Sequence, residues 1–301
     1  MPNPDLVQIK TKDGLTLPGL LYRAPRSTRA VIHLHGNGSQ SIFYHNDQLI
    51  DLARALNSQG ISLLQFNNRG AHYIKKLQAK KGKPAARQHY GMAYEKIKEC
   101  IYDIEAAVKL LKKHGYSTFY LVGHSTGANK IVVYHYYQRK NPISKYVLLG
   151  GGDDTGIYYH LLGKKRFFRL LRQAKRKINS RQGEQIIAEL LPGDIFSYQG
   201  FYDIANPDGD YNIFPFLEKL RGLKLSSKSL FRHYRKLSKP TLVVYGDQDQ
   251  YAWGNIPRIV SILKEQKPDL DYKIIKGADH SFSNHQNQLG KVLANWLAVK
   301  N

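Results

Sequence analysis

The stretch FYLVGHSTGANKIVVY, from Phe119 to Tyr134, places a serine between two glycines at the junction of two apolar runs. The first run has the composition of a buried strand, and the apolar residues after the serine recur at helical spacing. Glycine at 123 and 127 lets a strand and a helix approach closely and lets Ser125 adopt a strained backbone. The pattern therefore predicts a G-x-S-x-G nucleophile elbow, with the serine hydroxyl beyond the carboxyl end of the strand. The alternative is a glycine-rich turn with an incidental serine.

Length and composition indicate one large α/β domain, or one such domain with an insertion. The chain has 301 residues, of which 42% are hydrophobic, as expected of a globular protein with a sizeable core. Its single cysteine, Cys100, cannot form an intramolecular disulfide and gives no sign of an oxidising compartment. The N-terminus has no cationic and apolar leader, and no apolar run reaches the length of a membrane span. We therefore expect a soluble, cytoplasmic protein.

The chain is strongly basic, with 46 Lys and Arg against 23 Asp and Glu and a formal net charge of +23. Such a balance favours anionic partners, whether nucleic acid, a membrane surface or an acidic substrate, without choosing among them. A compositional bias of the source organism is the alternative explanation.

Predicted strands alternate with predicted helices along most of the chain. An N-terminal β-hairpin spans residues 6–24, short apolar runs predict buried strands, and amphipathic segments predict helices. The strands are 30–36, 61–67, the run before Ser125, 145–151, 240–246 and 271–277, and the helices are 46–60, 94–114, the run after Ser125 and 286–299. This alternation predicts a mostly parallel central sheet flanked by helices, with functional residues beyond the carboxyl ends of the strands.

Two segments interrupt the alternation. Residues 71–92 are rich in lysine and predict a basic loop or short helix. Residues 153–239 separate two strands by far more than a crossover helix requires, so we predict a mostly helical cap there. The core is then formed by residues 1–152 and 240–301.

Candidates for the base that activates Ser125 follow the last predicted strand. A serine hydroxyl is a poor nucleophile until a neighbouring base takes its proton. We favour His280, because a short glycine-containing loop after the strand can suspend its side chain over the sheet. His285 is the alternative, although it lies at a predicted helix start.

Two acids follow strand 240–246 and are candidates for the group that orients the histidine. Asp249 stands three residues after Gly246, which allows a turn to bring its carboxylate back toward a histidine. Asp247 lies nearer the strand end, where it can cap the turn instead. We favour Asp249, and the chain order of serine, acid and histidine is the one expected on this type of fold.

A glycine-rich loop after the first buried strand supplies candidate oxyanion donors. The backbone N–H of Asn37 in that loop can face Ser125, and the N–H of Thr126 lies at the start of the following helix. The alternative is a glycine-rich turn that binds nothing. Asn67, Asn68 and Arg69 also lie beyond a strand end, where we interpret them as scaffold hydrogen-bonding groups.

Five short elements, in this order and spacing, resemble the α/β-hydrolase superfamily over almost the whole chain. They are HLHGNG at 33–38, FNNRG at 66–70, GHSTG at 123–127, GDQD at 246–249 and GADHSF at 277–282. The resemblance implies Ser125 as nucleophile, Asp249 as acid and His280 as base, with oxyanion N–H groups from Asn37 and Thr126. The cap stretch at 189–216 is more distantly similar to the DUF1749 group of serine hydrolases.

The sequence thus predicts a carboxylic-ester or thioester hydrolase that acts through an acyl-Ser125 intermediate and needs no cofactor. We expect no metal site, because His33 and His35 stand two apart with no carboxylate or cysteine at ligand spacing. An amidase, a peptidase or an acyltransferase could use the same triad. The alternative from another class is a catalytically silent scaffold that binds an anionic partner.

The segment from Gly163 to Arg181 predicts an amphipathic cap helix with a strongly cationic outer face. It contains nine Lys or Arg and no acid, and its apolar residues recur at helical spacing. One interpretation is a solvated face, and the other is capture of an anionic substrate or docking on an anionic surface. No nucleic-acid module is recognisable, so we expect no nucleic-acid partner. We expect the substrate to be a small-molecule ester, anionic or aromatic, and the cap to determine which ester binds.

Overall fold

The computed structural model describes residues 3–38, 40–44, 46–78, 87–188 and 190–299. Within them, eight strands form a central sheet and two form a small separate sheet. The strands are β1 (Asp5–Lys10), β2 (Thr16–Tyr22), β3 (Arg29–Leu34), β4 (Ser62–Phe66), β5 (Lys75–Gln78), β6 (Arg87–Tyr90), β7 (Thr118–His124), β8 (Ile143–Leu149), β9 (Thr241–Gly246) and β10 (Asp271–Ile275). The central order is β1-β2-β4-β3-β7-β8-β9-β10, parallel from β4 onward, with β1 and β2 as an antiparallel hairpin.

Helices cover both faces of this sheet. They are α1 (Asn46–Asn57), α2 (Cys100–Lys113), α3 (Thr126–Tyr137), α4 (Asp154–Asn179), α5 (Tyr198–Ala205), α6 (Phe216–Arg221), α7 (Ile256–Gln266) and α8 (Gln286–Ala298). Helices α1 and α8 pack on one face, whereas α2, α3 and α7 pack on the other with the segment between β8 and β9. The predicted mostly parallel sheet flanked by helices is confirmed.

Neighbouring residues of the central strands point into two separate cores. Val31 and Val122 contribute to the core beneath α1 and α8, while Ile32 and Leu121 contribute to the opposite core. Successive side chains of a strand lie on opposite faces, so a strand covered on both sides needs apolar residues at every position. This explains why the sequence shows continuous apolar runs rather than alternation.

The basic segment 71–92 differs from its prediction as a loop or short helix. Its described ends form the antiparallel pair β5 and β6, in which Lys75 pairs with Tyr90. The Lys75 ammonium group donates to the carbonyl of Asn68 at 3.0 Å, so this contact and the pairing with β6 hold the strand where the local sequence favours none. Residues 79–86, which carry much of the lysine run, lie outside the described residues.

The segment between β8 and β9 contains α4, α5 and α6. Its first helix has a kink at Gly163, where φ is 70° and ψ is 156°. Phe167, Leu171 and Ala174 form the buried side of α4, as the amphipathic pattern predicted, and most of its Lys and Arg are exposed. In the described part of the chain, no helix combines the length and the apolar character needed to cross a bilayer.

Candidate active site

Ser125 lies in a strained turn between β7 and α3. Its φ is 56° and its ψ is −125°, a conformation that costs a non-glycine residue on the order of 1–3 kcal/mol. The backbone N–H of Ser125 donates to the carbonyl of Leu149 at 2.8 Å, which ties the turn to the neighbouring strand β8. The structure therefore has the elbow geometry that the two flanking glycines predicted.

The glycines around Ser125 are required by close backbone contacts. A Cβ atom on Gly123 would overlap the carbonyl oxygen of Gly127, and one on Gly127 would overlap the carbonyl oxygen of Leu34. A Cβ on Gly36 would lie 2.9 Å from the Cβ of Ser125. The loop after β3 thus lies directly against the serine.

His280 and Asp249 form a buried pair beyond the ends of β10 and β9. The Nδ1 atom of His280 lies 2.9 and 3.0 Å from the two carboxylate oxygens of Asp249, and both residues are buried. The carboxylate accepts, so Nδ1 carries a proton and donates it, which leaves Nε2 as the ring position available for other contacts. Tyr251 packs edge-on against His280, with ring centroids 4.7 Å apart.

The two alternative residues have other partners. The carboxylate of Asp247 accepts the backbone N–H of Gly277 at 2.6 Å, so this acid caps the turn between the two strand ends. His285 occupies the N-cap position of α8, and its Nδ1 pairs with the carbonyl of Ser283 at 2.9 Å. The structure therefore brings together Asp249 and His280, not Asp247 and His285.

Ser125 and His280 line the same pocket, but their side chains are not hydrogen-bonded to each other among the described contacts. Catalytic hydrogen bonds are often long in unliganded enzymes and tighten when substrate binds.

A tyrosine from the segment between β8 and β9 holds the loop that contains Asn37. The Asn37 side-chain amide donates to the hydroxyl of Tyr211 at 2.7 Å, and Tyr211 is 3% exposed. Thr126 is the first residue of α3, so its backbone N–H lies at the helix N-terminus beside Ser125. The sequence offered no local signal for Tyr211, because its contact with the loop is long-range.

The pocket around Ser125 has a volume of about 400 Å³ and a mixed lining. Helix α4 contributes the apolar side chains Ile157 and Leu161, and α5 contributes Ile204. Two carboxylates, Asp154 and Asp194, also line it, whereas no Lys or Arg is found among its described lining residues. The chain's large positive charge is therefore not concentrated in this pocket.

Burial shifts the pKa values of Asp154 and His124, which both line the pocket. Burial raises the pKa of the Asp154 carboxyl to about 6, and the charge that His280 can carry opposes this rise. Burial, and secondarily the charge on His280, lower the pKa of His124 to about 3. His124 is therefore a neutral imidazole at physiological pH, and its Nε2–H donates to the carbonyl of His280 at 2.7 Å.

A charged network centred on Arg69 supports the end of β4. Arg69 is 2% exposed and pairs with Asp103 at 2.8 Å, with Asp13 at 3.0 Å and with Glu99 at 3.0 Å. These contacts join the N-terminal hairpin, the end of β4 and α2, as expected of a scaffold residue. Across the described ranges, no three His, Cys, Asp or Glu side chains are grouped so as to hold a metal ion.

Several solved structures are similar to this chain. Est1E from Butyrivibrio proteoclasticus, solved with ferulic acid bound, has a TM-score of 0.62 and 18% identity, with 97% of each chain covered. The α/β hydrolase GrgF from Penicillium sp. sh18 has a TM-score of 0.59 and 17% identity, covering 98% of this chain and 96% of its own. An esterase domain from a Rhodothermus marinus protein has a TM-score of 0.55 and 16% identity, with 98% of each chain covered. At these identities the likeness establishes the fold alone.

Among curated proteins, no sequence matches this chain. A family model described as serine aminopeptidase, S33, matches residues 25–287, which include the elbow, the Asp249–His280 pair and the segment between β8 and β9. By that match, the chain belongs to the serine aminopeptidase, S33, family of α/β hydrolases.

Proposed function

We propose that this protein is a serine hydrolase that cleaves a carboxylic ester or thioester through an acyl-Ser125 intermediate. One observation carries the proposal: a serine in a strained elbow shares a pocket with a histidine whose Nδ1 is held by a buried aspartate. Backbone strain at a half-buried serine is costly, and this arrangement is the one that nucleophilic acyl transfer needs.

Each residue has a definite role in the proposed reaction. Nε2 of His280 takes the proton of Ser125 as the hydroxyl oxygen attacks the ester carbonyl, and Asp249 stabilises the imidazolium that forms. The backbone N–H groups of Asn37 and Thr126 stabilise the oxyanion. His280 then protonates the departing alcohol, and a water molecule activated by the same histidine hydrolyses the acyl-serine.

The pocket lining supports a neutral substrate with an apolar or aromatic acyl group. Ile157, Leu161 and Ile204 form an apolar wall, and Tyr251 adds an aromatic ring beside His280. The bound ferulic acid in the neighbour Est1E is an aromatic acid of suitable size for such a pocket. With two carboxylates and no described Lys or Arg in the lining, an anionic acyl group is the less favoured choice.

The same carboxylates favour a second candidate, hydrolysis of an aminoacyl ester or amide. Asp154 and Asp194 could pair with a protonated amino group on the acyl side of the substrate. The family description, serine aminopeptidase, is consistent with such a substrate. Replacing Asp154 with Asn would then raise KM for an aminoacyl ester and leave a simple acetyl ester unaffected.

A fluorophosphonate probe tests the nucleophile directly. Labelling should be lost in Ser125→Ala and retained in Ser281→Ala, a matched control because Ser281 lines the same pocket. A folded wild-type protein that is not labelled would instead support the silent-scaffold alternative.

A panel of p-nitrophenyl esters with aliphatic, aromatic and aminoacyl groups then identifies the substrate class. We expect the highest kcat/KM for an aromatic acyl group. A strong preference for the aminoacyl member, lost in Asp154→Asn, would favour the second candidate.

A further inference from the structure

A second cavity lies beside the catalytic pocket, on the face of the sheet that α1 and α8 cover. Its volume is about 270 Å³, and it is bounded by the ends of β3 and β4, by α1, by α8 and by residues 281–283. Gln40, His124 and Ser281 line both this cavity and the catalytic pocket. The reaction proposed for Ser125 uses none of the side chains found only in the second cavity.

His35 lines this cavity and has a hydrogen-bond acceptor without a partner among the described residues. It is 8% exposed, and its Nδ1 pairs with the carbonyl of Gly36 at 2.8 Å, so Nδ1 carries the proton. Burial, together with the charges of Lys130 and Lys75, lowers the pKa of His35 well below its usual value, so the ring is neutral. Nε2 is then a bare acceptor, and it is buried with no hydrogen-bond partner among the described residues.

Gln65 also lines the cavity and has a second acceptor without a partner among the described residues. Its side chain is fully buried, and its amide group donates to the carbonyl of Leu49 at 3.3 Å. The other end of the amide, Oε1, is buried without a partner in the described part of the chain. A buried acceptor that lacks a donor costs about 1–3 kcal/mol, so two of them beside one cavity call for a donor within it.

The rest of the lining defines what can supply that donor. Leu49, Leu52, Phe66 and Leu289 provide apolar walls. Polar side chains complete the lining, namely His33, Gln40, Ser41, Tyr44, His124, Ser281, Ser283 and Gln286. No Asp or Glu is present among the described lining residues, so a cation would have no counter-charge. A dry cavity of roughly 150 Å³ admits benzene, so this cavity has room for a substituted ring.

From these contacts we propose that the second cavity is a binding site for a small phenol or alcohol, whose hydroxyl group donates to His35 or Gln65. The apolar body of the ligand packs on the walls from α1 and α8. The site is separate from the chemistry of Ser125, so it stands whether or not the proposed ester hydrolysis is correct.

The test compares phenol with anisole by isothermal titration calorimetry in the full-length Ser125→Ala protein, in which turnover cannot interfere. Phenol should bind at one site, roughly five- to tenfold more tightly than anisole, because the methyl ether has no hydrogen to donate. Gln65→Met, which removes an acceptor and keeps a similar volume, should reduce this ratio. On ¹⁵N-histidine NMR spectra, phenol but not anisole should shift the unprotonated Nε2 signal of His35.

A cavity-filling variant separates this site from the catalytic pocket. Leu49→Phe should abolish binding of both ligands, and Leu289→Phe serves the same purpose if the first variant does not fold. Leu161→Phe, in the wall of the catalytic pocket, is the matched control and should bind phenol normally.

Three outcomes would overturn the proposal. The first is no saturable phenol binding up to about 10 mM, which would mean that the cavity holds ordered water only. The second is equal affinity for phenol and anisole. The third is phenol binding that is lost in Leu161→Phe but kept in Leu49→Phe. Failure of the fluorophosphonate probe to label Ser125 would leave all these measurements valid.

Discussion

The pocket around Ser125 and the outer face of α4 have opposite electrostatic character, although α4 contributes to both. The face of α4 carries exposed cations that form no ion pair with an acid in the described ranges, namely Lys164, Lys165, Arg169, Arg172, Lys175 and Arg176. The pocket is lined by Leu161 and Ile157, which precede these cations on α4. Its lining includes Asp154 and Asp194 and has no described Lys or Arg.

This difference shows that net charge describes the surface of a protein and not its reaction centre. An exposed cation is screened by water and salt, so many of them can be added at little cost to stability. A partly buried carboxylate is poorly screened, so one or two such groups dominate the field in a pocket. The formal charge of +23 therefore gives little information about the substrate of Ser125.

The largest effect should come from the buried acid that contacts His280. Asp249→Asn should lower kcat on the order of 10⁴-fold and change KM little, because in the proposed mechanism Asp249 stabilises the imidazolium of His280 only as the transition state forms. Asp247→Asn is the matched control, since that acid caps a turn at Gly277. Steady-state kinetics on a p-nitrophenyl ester measure both variants. If Asp247→Asn were the more damaging change in a folded protein, the assignment of the acid would be wrong.

A smaller effect should follow from loosening the loop beside Ser125. Tyr211→Phe removes the acceptor for the Asn37 side-chain amide and should lower kcat roughly tenfold with KM nearly unchanged. Tyr211 is a positioning residue, so the split between kcat and KM distinguishes this role from a simple loss of stability. A variant with normal kcat would show that the contact does not position the oxyanion donors.

Asp154 should reveal the energetic cost of a carboxylate in the pocket through the pH dependence of stability. Its pKa is about 6 in the folded chain against 3.8 for the unperturbed group, so between these values the folded state binds more protons than the unfolded state. Stability from this residue is therefore present below pH about 4 and is lost as pH rises through about 6.

Asp154→Asn removes this loss of stability. The Tm difference, defined as the Tm of the variant minus that of the wild type, should therefore increase by roughly 2–4 °C from pH 4 to pH 8. Differential scanning fluorimetry across this range measures the difference. Asp269→Asn is the exposed control. The hydrogen bond from Lys267 lowers the pKa of the Asp269 carboxyl, so the Tm difference for this variant should change little with pH or change in the opposite direction. A pH-independent difference for Asp154→Asn would contradict the shifted pKa.

The smallest effect should come from the cationic face of α4. Reversing Lys164, Lys165 and Arg169 to Glu should leave kcat/KM for a neutral ester unchanged and lower that for an anionic ester about two- to fivefold. The loss of kcat/KM for the anionic ester should disappear as ionic strength rises from about 0.01 M to 0.5 M.

The matched control for this variant carries the same charge change on α2, at Lys109, Lys112 and Lys113, which are exposed. An equal loss in both variants would assign the effect to net charge rather than to the α4 face. No loss in either would identify the α4 cations as a solvated surface without a role in substrate capture.

The placement of Ser125, Asp249 and His280 could be predicted because each follows a strand. Parallel strands bring their carboxyl ends to one edge of the sheet, so residues far apart in the chain converge wherever the strands are recognised. The choice of Asp249 over Asp247 rested on turn length, and in the structure the Asp249 carboxylate lies within hydrogen-bond distance of His280 Nδ1. The catalytic roles of these residues remain predictions.

The β5–β6 pair, Tyr211 and the second cavity could not be predicted, because each depends on contacts between distant segments. The lysine-rich sequence around Lys75 has no strand pattern of its own, and it pairs only because the ends of the segment are brought together. Likewise, Gln65 is a single polar residue in an apolar stretch of the sequence. Its unpartnered Oε1 atom is informative only because the fold places Gln65 and His35 at the same cavity.

The sequence by itself determined that Ser125, Asp249 and His280 each follow a strand, that Ser125 lies in an elbow and that α4 is amphipathic. These features could be predicted because glycine spacing and hydrophobic period act locally along the chain. Only the tertiary structure decided that Asp154 lies in the pocket and that Tyr211 supports the Asn37 loop. Burial and distance set those interactions, and both depend on how segments far apart in the sequence pack against one another.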